Sequence, residues 1–135
     1  MKILFFGDIV GRVGRKALAE VLPALKAKYR PDAVFANVEN LAHGKGVTSK
    51  TLREVKELGL DGFTAGNHVW KKEDVVLAAQ ESGALLATPL NDPRTPDGCG
   101  SFKLNIAGSG LLVVNLLGRT FMKETGLTCP FRAMD

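Results

Sequence analysis

Ala33-Val34-Phe35-Ala36-Asn37-Val38-Glu39-Asn40 is the stretch on which the fold turns: an apolar run of strand length that ends at once in oxygen-bearing side chains. Two other runs share the design. Lys2 to Phe6 is compact and apolar, is expected to be a strand buried on both faces, and closes in Gly7-Asp8. Gly62 to Ala65 is a shorter strand that closes in Gly66-Asn67-His68. Oxygen donors recurring at successive strand ends are how an α/β sheet gathers a site at one edge.

The segments between these runs read as helices. From Arg15 to Tyr29, Leu18, Val21, Leu22 and Leu25 fall on one helical face, and Pro31 closes the segment; Gly11 and Gly14 precede it as a flexible turn. Ala42 to Gly46 is a loop. Thr48 or Ser49 can cap a helix that runs to about Leu58, with Gly59 as its stop. Lys72 to Ser82 is helical and Ala84 to Ala87 is a fourth strand. Thr88 to Gly100, rich in Pro, Asp and Gly, is a loop. Phe102–Ile106 and Leu111–Leu117, joined by Gly108-Ser109-Gly110, read as an antiparallel hairpin beside the parallel sheet. Pro130 to Asp135 looks like the first turn of a helix. The order β-α-β-α-β-α-β plus a hairpin predicts an α/β sandwich.

Composition narrows the function classes. The 135 residues suit one domain with a genuine core, and 45% hydrophobic with 24% charged residues is an ordinary globular balance. A net charge of +4 and a pI near 9.2 would help draw an anionic substrate such as a phosphate ester or nucleotide. The charge is too mild and too scattered for a nucleic-acid-binding stripe. Cys99 and Cys129 fit neither a CxxC pair nor a disulfide framework and are expected to be free thiols in a reducing cytoplasm. The opening MKILFFGDIVG is too short in its apolar part, and interrupted by Asp8, to be a signal peptide. No stretch has the length of a membrane span, so no membrane partner is expected.

The donor residues each have two readings. Asp8 is a hard oxygen ligand or a helix N-cap. Glu39 and Asn40 diverge unless the chain bends; a bend would turn both toward one ion, or let Glu39 bridge two, whereas Asn40 could equally be a turn residue. Asn67 offers an amide oxygen and His68 beside it is suited to donate a proton near neutral pH, or the two are a turn asparagine and a half-buried histidine. His43 can touch phosphate or simply face solvent, and Trp70 is read as packing. Gly7-Asp8-Ile9-Val10-Gly11-Arg12-Val13-Gly14 fails the dinucleotide fingerprint, because Ile9 stands where glycine is needed, and no Gly-Lys-Ser/Thr ending makes a phosphate loop.

At these residues the chain resembles the calcineurin-like metallophosphoesterases, and among them the bacterial YmdB-type subfamily of 2′,3′-cyclic-nucleotide 2′-phosphodiesterases. The resemblance rests on MKILFFGDIVGRVGR, NVENLAHGKG, TAGNHVW, TPLN from Thr88 to Asn91, NLLGRTFM and PFRAMD, and covers residues 1–135. It implies the N-terminal portion of a single metallophosphoesterase domain, an α/β sandwich incomplete at the C-terminus. It implies two divalent metal ions, iron or manganese first and zinc as a third option. Asp8 and Asn40 would bind one, Asn67 the other, Glu39 would bridge both, and His68 would be the general acid. Ordinary members of the wider family carry a histidine where Val10 stands; the departure fits the subfamily, in which an asparagine such as Asn40 supplies a ligand instead. The family's three histidine ligands lie beyond Asp135, so these residues alone are expected to bind metal weakly and turn over slowly or not at all. The implied substrate is a cyclic nucleotide or another small phosphate ester, in a homo-oligomer, with an RNA-related role left open. The alternative is a non-catalytic interaction or regulatory module built on half of the fold.

Overall fold

The computed structural model describes residues 1–72 and 74–135. Strands β1 (Ile3–Asp8), β2 (Ala33–Asn37), β3 (Gly62–Thr64) and β4 (Leu86–Ala87) form a parallel sheet in the order β1-β2-β3-β4. Helices α1 (Gly11–Tyr29), α2 (Ser49–Lys56) and α3 (Val75–Ser82) make the crossovers. Right-handed crossovers between sequential parallel strands place every helix on the same face. The core agrees with that rule: Leu4, Phe6, Val34, Ala36, Val38 and Phe63 from the sheet share one cluster with Leu18 and Leu22 of α1, Leu52 and Val55 of α2, and Val75 of α3. The expected mixed α/β architecture is what forms.

The other face of the sheet departs from expectation. Ile3 and Phe5 alternate away from the helices and remain 45% and 53% exposed, so β1 is buried on one face and not on two. The hairpin β5 (Ser101–Ile106) and β6 (Ser109–Val114) forms its own two-stranded antiparallel sheet and does not extend the parallel one. It lies across β2 and β3. The Phe102 ring stands 6.3 Å from that of Phe35, and a Cβ added to Gly62 would meet Phe102 Cζ at 2.6 Å. This cover reaches Phe35 and leaves its β1 neighbour Phe5 open. The hairpin turn is Ala107-Gly108, one position earlier than the sequence suggests. Both residues adopt positive φ, 50° and 79°, the twist that matches a two-residue connection between right-twisted strands.

Helix ends also shift, each for a local reason. α1 begins at Gly11, before the expected Arg15, because Gly11 at φ 58° turns the chain directly into the first helical turn. Val21 is 43% exposed, and Leu18 and Leu22 carry the buried stripe. α2 is capped by Thr48 in a reciprocal pair with Thr51, each backbone N–H donating to the other's Oγ1 at 3.0 and 3.2 Å. α3 begins at Val75, not Lys72. Asp74 caps it by accepting from the N–H groups of Val76 and Leu77, and Glu73 in the expected range lies outside the described residues. Near the C-terminus, Ala133 N–H donates to the Cys129 carbonyl at 3.0 Å, a single helical turn where one was expected.

Candidate active site

The first strand delivers its carboxylate through an irregularity. β1 and β2 stay in register from Ile3–Ala33 to Phe6–Ala36, and then Asp8 pairs with Asn37. Gly7 is therefore an extra residue. In unbroken alternation Asp8 would follow Leu4 and Phe6 onto the helix-packed face. The bulge turns it out of the apolar core and re-aims it at the sheet's carboxyl edge. Asp8 does not cap α1: the N-cap is Val10, which makes no side-chain capping bond.

At the end of β2 the chain bends as the donors require. Asn37 Oδ1 accepts the Glu39 N–H at 3.1 Å, and Leu41 N–H returns to the Val38 carbonyl at 3.2 Å. The turn brings Glu39 and Asn40 to the same lip. Asn40 is buried and ties down the start of α1, since Gly11 N–H donates to its carbonyl at 2.9 Å. After β3, Gly66 opens a 3₁₀ turn over Asn67–Lys71. The Glu39 carboxylate lies flush against Gly66, where an added Cβ would fall 2.3 Å from Oε1 and 2.5 Å from Oε2. Glu39 Oε2 accepts the His68 N–H at 2.8 Å.

These contacts link three strand ends into one relay. Asn40 Nδ2 donates to Asp8 Oδ2 at 2.6 Å, and Asn40 Oδ1 lies 2.8 Å from His68 Nδ1. With the amide oriented so, His68 carries its proton on Nδ1, which leaves Nε2 as the position able to exchange a proton. Asp8, Glu39, Asn40 and His68 thus converge. Asn67 adjoins them through His68, but its side chain takes a partner that sequence reasoning missed. Asn67 Nδ2 donates to Glu124 Oε1 at 2.6 Å. That bond, first among several causes, holds the Glu124 carboxyl below its ordinary range. Glu124 lies 57 residues from Asn67 with no strand or glycine pattern to mark it, and only the tertiary path shows the pair.

Neighbouring side chains play supporting parts. Trp70 packs, as expected, and its Nε1–H donates to Asp92 Oδ2 at 3.2 Å. Arg94 grips both oxygens of that buried carboxylate at 2.8 and 2.6 Å and lies over the Trp70 ring. Asn91, fully buried, fastens the loop after β4 by donating to the Leu117 and Thr128 carbonyls at 2.9 and 3.0 Å. His43 stands outside the relay and is exposed.

The donor set bears on a divalent cation. Among the described residues no group of three or more His, Cys, Asp or Glu side chains forms a cage, so the amides must complete any ligand set. Asp8 Oδ1, Glu39 Oε1 and Asn67 Oδ1 have no hydrogen-bond partner among the described residues, and Asn40 Oδ1 keeps a second lone pair. Two carboxylates and the Asn40 amide oxygen, with the Asn67 amide on the adjoining residue, are the donor chemistry a hard cation takes. The flush seat of the Glu39 carboxylate on Gly66 fixes one of them.

A parallel α/β sheet with polar side chains gathered beyond its carboxyl ends defines a class of enzyme-like folds, and known proteins narrow it. The chain belongs to the YmdB-like protein family, which it matches over residues 4–135. It is 41% identical over 135 residues to a Bacillus subtilis protein named 2′,3′-cyclic-nucleotide 2′-phosphodiesterase, covering 100% of this chain and 50% of that one. Its structure is similar to a crystal structure of a Thermus thermophilus protein described as hypothetical, with TM-score 0.85, 39% identity and coverage of 99% and 51%. It is also similar to a crystal structure described as a novel phosphatase of Mycoplasma pneumoniae, with TM-score 0.86, 33% identity and coverage of 99% and 49%. The chain spans about half the length of these relatives. Among the described residues no helix is long and apolar enough to cross a membrane.

Proposed function

We propose that the chain carries the acid–base and first-ligand part of a metal-dependent phosphodiesterase or phosphatase acting on 2′,3′-cyclic nucleotides or similar phosphate esters. The observation that carries this reading is the Asp8–Asn40–His68 relay beside Glu39 at the edge of the sheet. Asp8 and Asn40 would hold one divalent ion and Asn67 the second, with Glu39 able to serve both. Oxygen-rich ligation suits manganese or iron, with zinc as a third choice. When bound, such ions neutralise charge on the phosphoryl oxygens and lower the pKa of water.

The remaining roles fall to the chain's own groups. Asp8 accepts from the Asn40 amide, and the amide oxygen in turn accepts from His68 Nδ1, so the ring is held in one orientation and one tautomer. When protonated, His68 gives up the Nε2 proton to the departing ribose oxygen, a contribution of about 10²–10⁴-fold. The Glu39 carboxylate fixes the backbone beneath the ring through the His68 N–H. Glu124 holds the Asn67 amide nitrogen and so presents its oxygen to the site.

The test is hydrolysis of bis-p-nitrophenyl phosphate and of adenosine 2′,3′-cyclic phosphate by the full-length gene product, with and without chelator. Turnover should require a divalent ion, and His68→Ala should lower it by about 10²–10⁴-fold while the ion still binds. Turnover indifferent to chelator and to His68→Ala would overturn the reading.

A further inference from the structure

Beside the relay, the first turns of α1 and α2 enclose a cavity of about 290 Å³ whose wall is cationic. Arg12, Arg15, His43 and Lys50 line it, with Glu54 as the one carboxylate. Glu54 is already taken, because its Oε2 accepts from Arg15 Nε at 2.9 Å. Arg15 in turn donates through Nη1 to the Leu41 carbonyl and is part of the wall. Arg12, His43 and Lys50 are exposed and have no hydrogen-bond or ionic partner among the described residues. The Thr48 and Thr51 hydroxyls on the rim are engaged with each other at 3.1 Å. What the cavity offers a ligand is therefore positive charge and N–H donors, the complement of a phosphate group.

Its position ties it to the relay. Asn40 belongs to the relay, the Leu41 carbonyl holds Arg15, and Ala42 and His43 are cavity wall. Three residues of chain span at most about 11 Å. On the opposite side, Gly11 N–H is bonded to the Asn40 carbonyl, and Arg12 is the next residue. The cavity wall thus joins the relay through adjacent residues on both sides and shares none of its side chains.

We propose that this cavity binds a second phosphate of the substrate, so that the preferred ester is a nucleotide, or the end of an oligonucleotide, bearing a phosphate besides the one cleaved. The proposal rests on the phosphoesterase reading above and adds the substrate class. Arg12 and Lys50 make charge-assisted contacts to the second phosphate, His43 contributes a ring N–H, and Arg15 shapes the wall. A cyclic mononucleotide without a further phosphate leaves the cavity unused.

The experiment compares adenosine 2′,3′-cyclic phosphate with its 5′-phosphorylated form, each titrated calorimetrically into the full-length protein under chelator and then assayed for hydrolysis with manganese. The 5′-phosphorylated compound should bind about tenfold tighter, the scale of one or two charge-assisted contacts at an exposed site. Arg12→Ala/Lys50→Ala should erase that preference. Lys16→Ala/Lys28→Ala, which removes the same charge elsewhere on the molecule, should keep it. Pyrophosphate should compete with the 5′-phosphorylated compound only. Equal binding of the two compounds, with both still hydrolysed, would overturn the cavity proposal and leave the hydrolase reading standing. Equal binding together with pyrophosphate binding that depends on Arg12 and Lys50 would mean that the cavity takes free phosphate, which also overturns it. A tenfold preference with hydrolysis of neither compound would sustain the phosphate cavity and overturn the hydrolase reading instead.

Discussion

Gly66→Ala separates the shape of the site from the stability of the fold. Gly66 has φ −118°, extended backbone that alanine also adopts, so the substitution brings no conformational strain. Its Cβ would sit 2.3 Å from Glu39 Oε1, and ordinary contact begins near 3.4 Å, so the carboxylate must retreat by about 1.1 Å. The obstructing atoms belong to the end of a flexible, half-buried side chain and not to backbone. The fold therefore yields cheaply: the lost contact is the Glu39–His68 N–H bond, worth about 1–2 kcal/mol at a partly exposed site. The site yields more. Displacing a ligand or its support typically lowers metal affinity about 10–100-fold, and a misplacement of about 1 Å costs on the order of 10²-fold in rate. The assay pairs thermal melting with manganese binding by calorimetry. The expected result is a melting temperature lowered by a few degrees and manganese affinity reduced by at least about tenfold. Unchanged manganese affinity would refute the placement of Glu39 as a ligand seated by Gly66.

Further outcomes follow from other contacts. Glu124→Ala should weaken manganese binding by about tenfold by releasing the Asn67 amide, and Glu124→Gln, which keeps an acceptor, should restore most of it in the same titration. Burial of Asp92 raises its carboxyl, but hydrogen bonds and charge from Arg94, with Trp70 adding a bond, outweigh burial and hold it below the ordinary value of 3.8. The ionised form is thus the stabilising one: its contribution is present above pH 3.8 and is lost as pH falls through the lower folded value. Asp92→Asn should cost about 1–3 kcal/mol at neutral pH by urea unfolding and flatten the acid limb of the stability profile; an unchanged acid limb would contradict the assignment. Leu52→Ala, at a position with 0% exposure between α2 and the sheet, should cost about 2–5 kcal/mol in the same experiment, and a cost under 1 kcal/mol would place α2 outside the core.

The repeating parallel architecture was legible because its signal is local. Each short apolar run ended in polar residues, and the segments between carried helical spacing or a capping residue such as Thr48. The convergence of Asp8, Glu39, Asn40 and His68 was legible for the same reason, since strand ends of one parallel sheet share an edge. What could not be read was set by register and tertiary path. The Gly7 bulge that aims Asp8 exists only relative to β2, and a lone glycine after a strand reads equally as a turn. Glu124 reaches Asn67 across 57 residues through a segment without periodicity. The hairpin is legible as a hairpin, but its alternating pattern does not say which surface it covers, and its place over Phe35 follows from the space at Gly62. α1 began early because the pair Gly11 and Gly14, which suggests a loop, is accommodated in the first helical turns.

The central claim is that Asp8, Glu39 and Asn40, with Asn67 beside them, supply the oxygen ligands of a two-ion site at the carboxyl edge of the sheet. Anomalous diffraction from crystals soaked in manganese tests it most directly. A peak within about 2.5 Å of oxygen atoms of Asp8, Asn40 and Glu39, with a second near Asn67 and Glu39, is the predicted result. Full-occupancy peaks elsewhere on the molecule, with none at this edge, would contradict it.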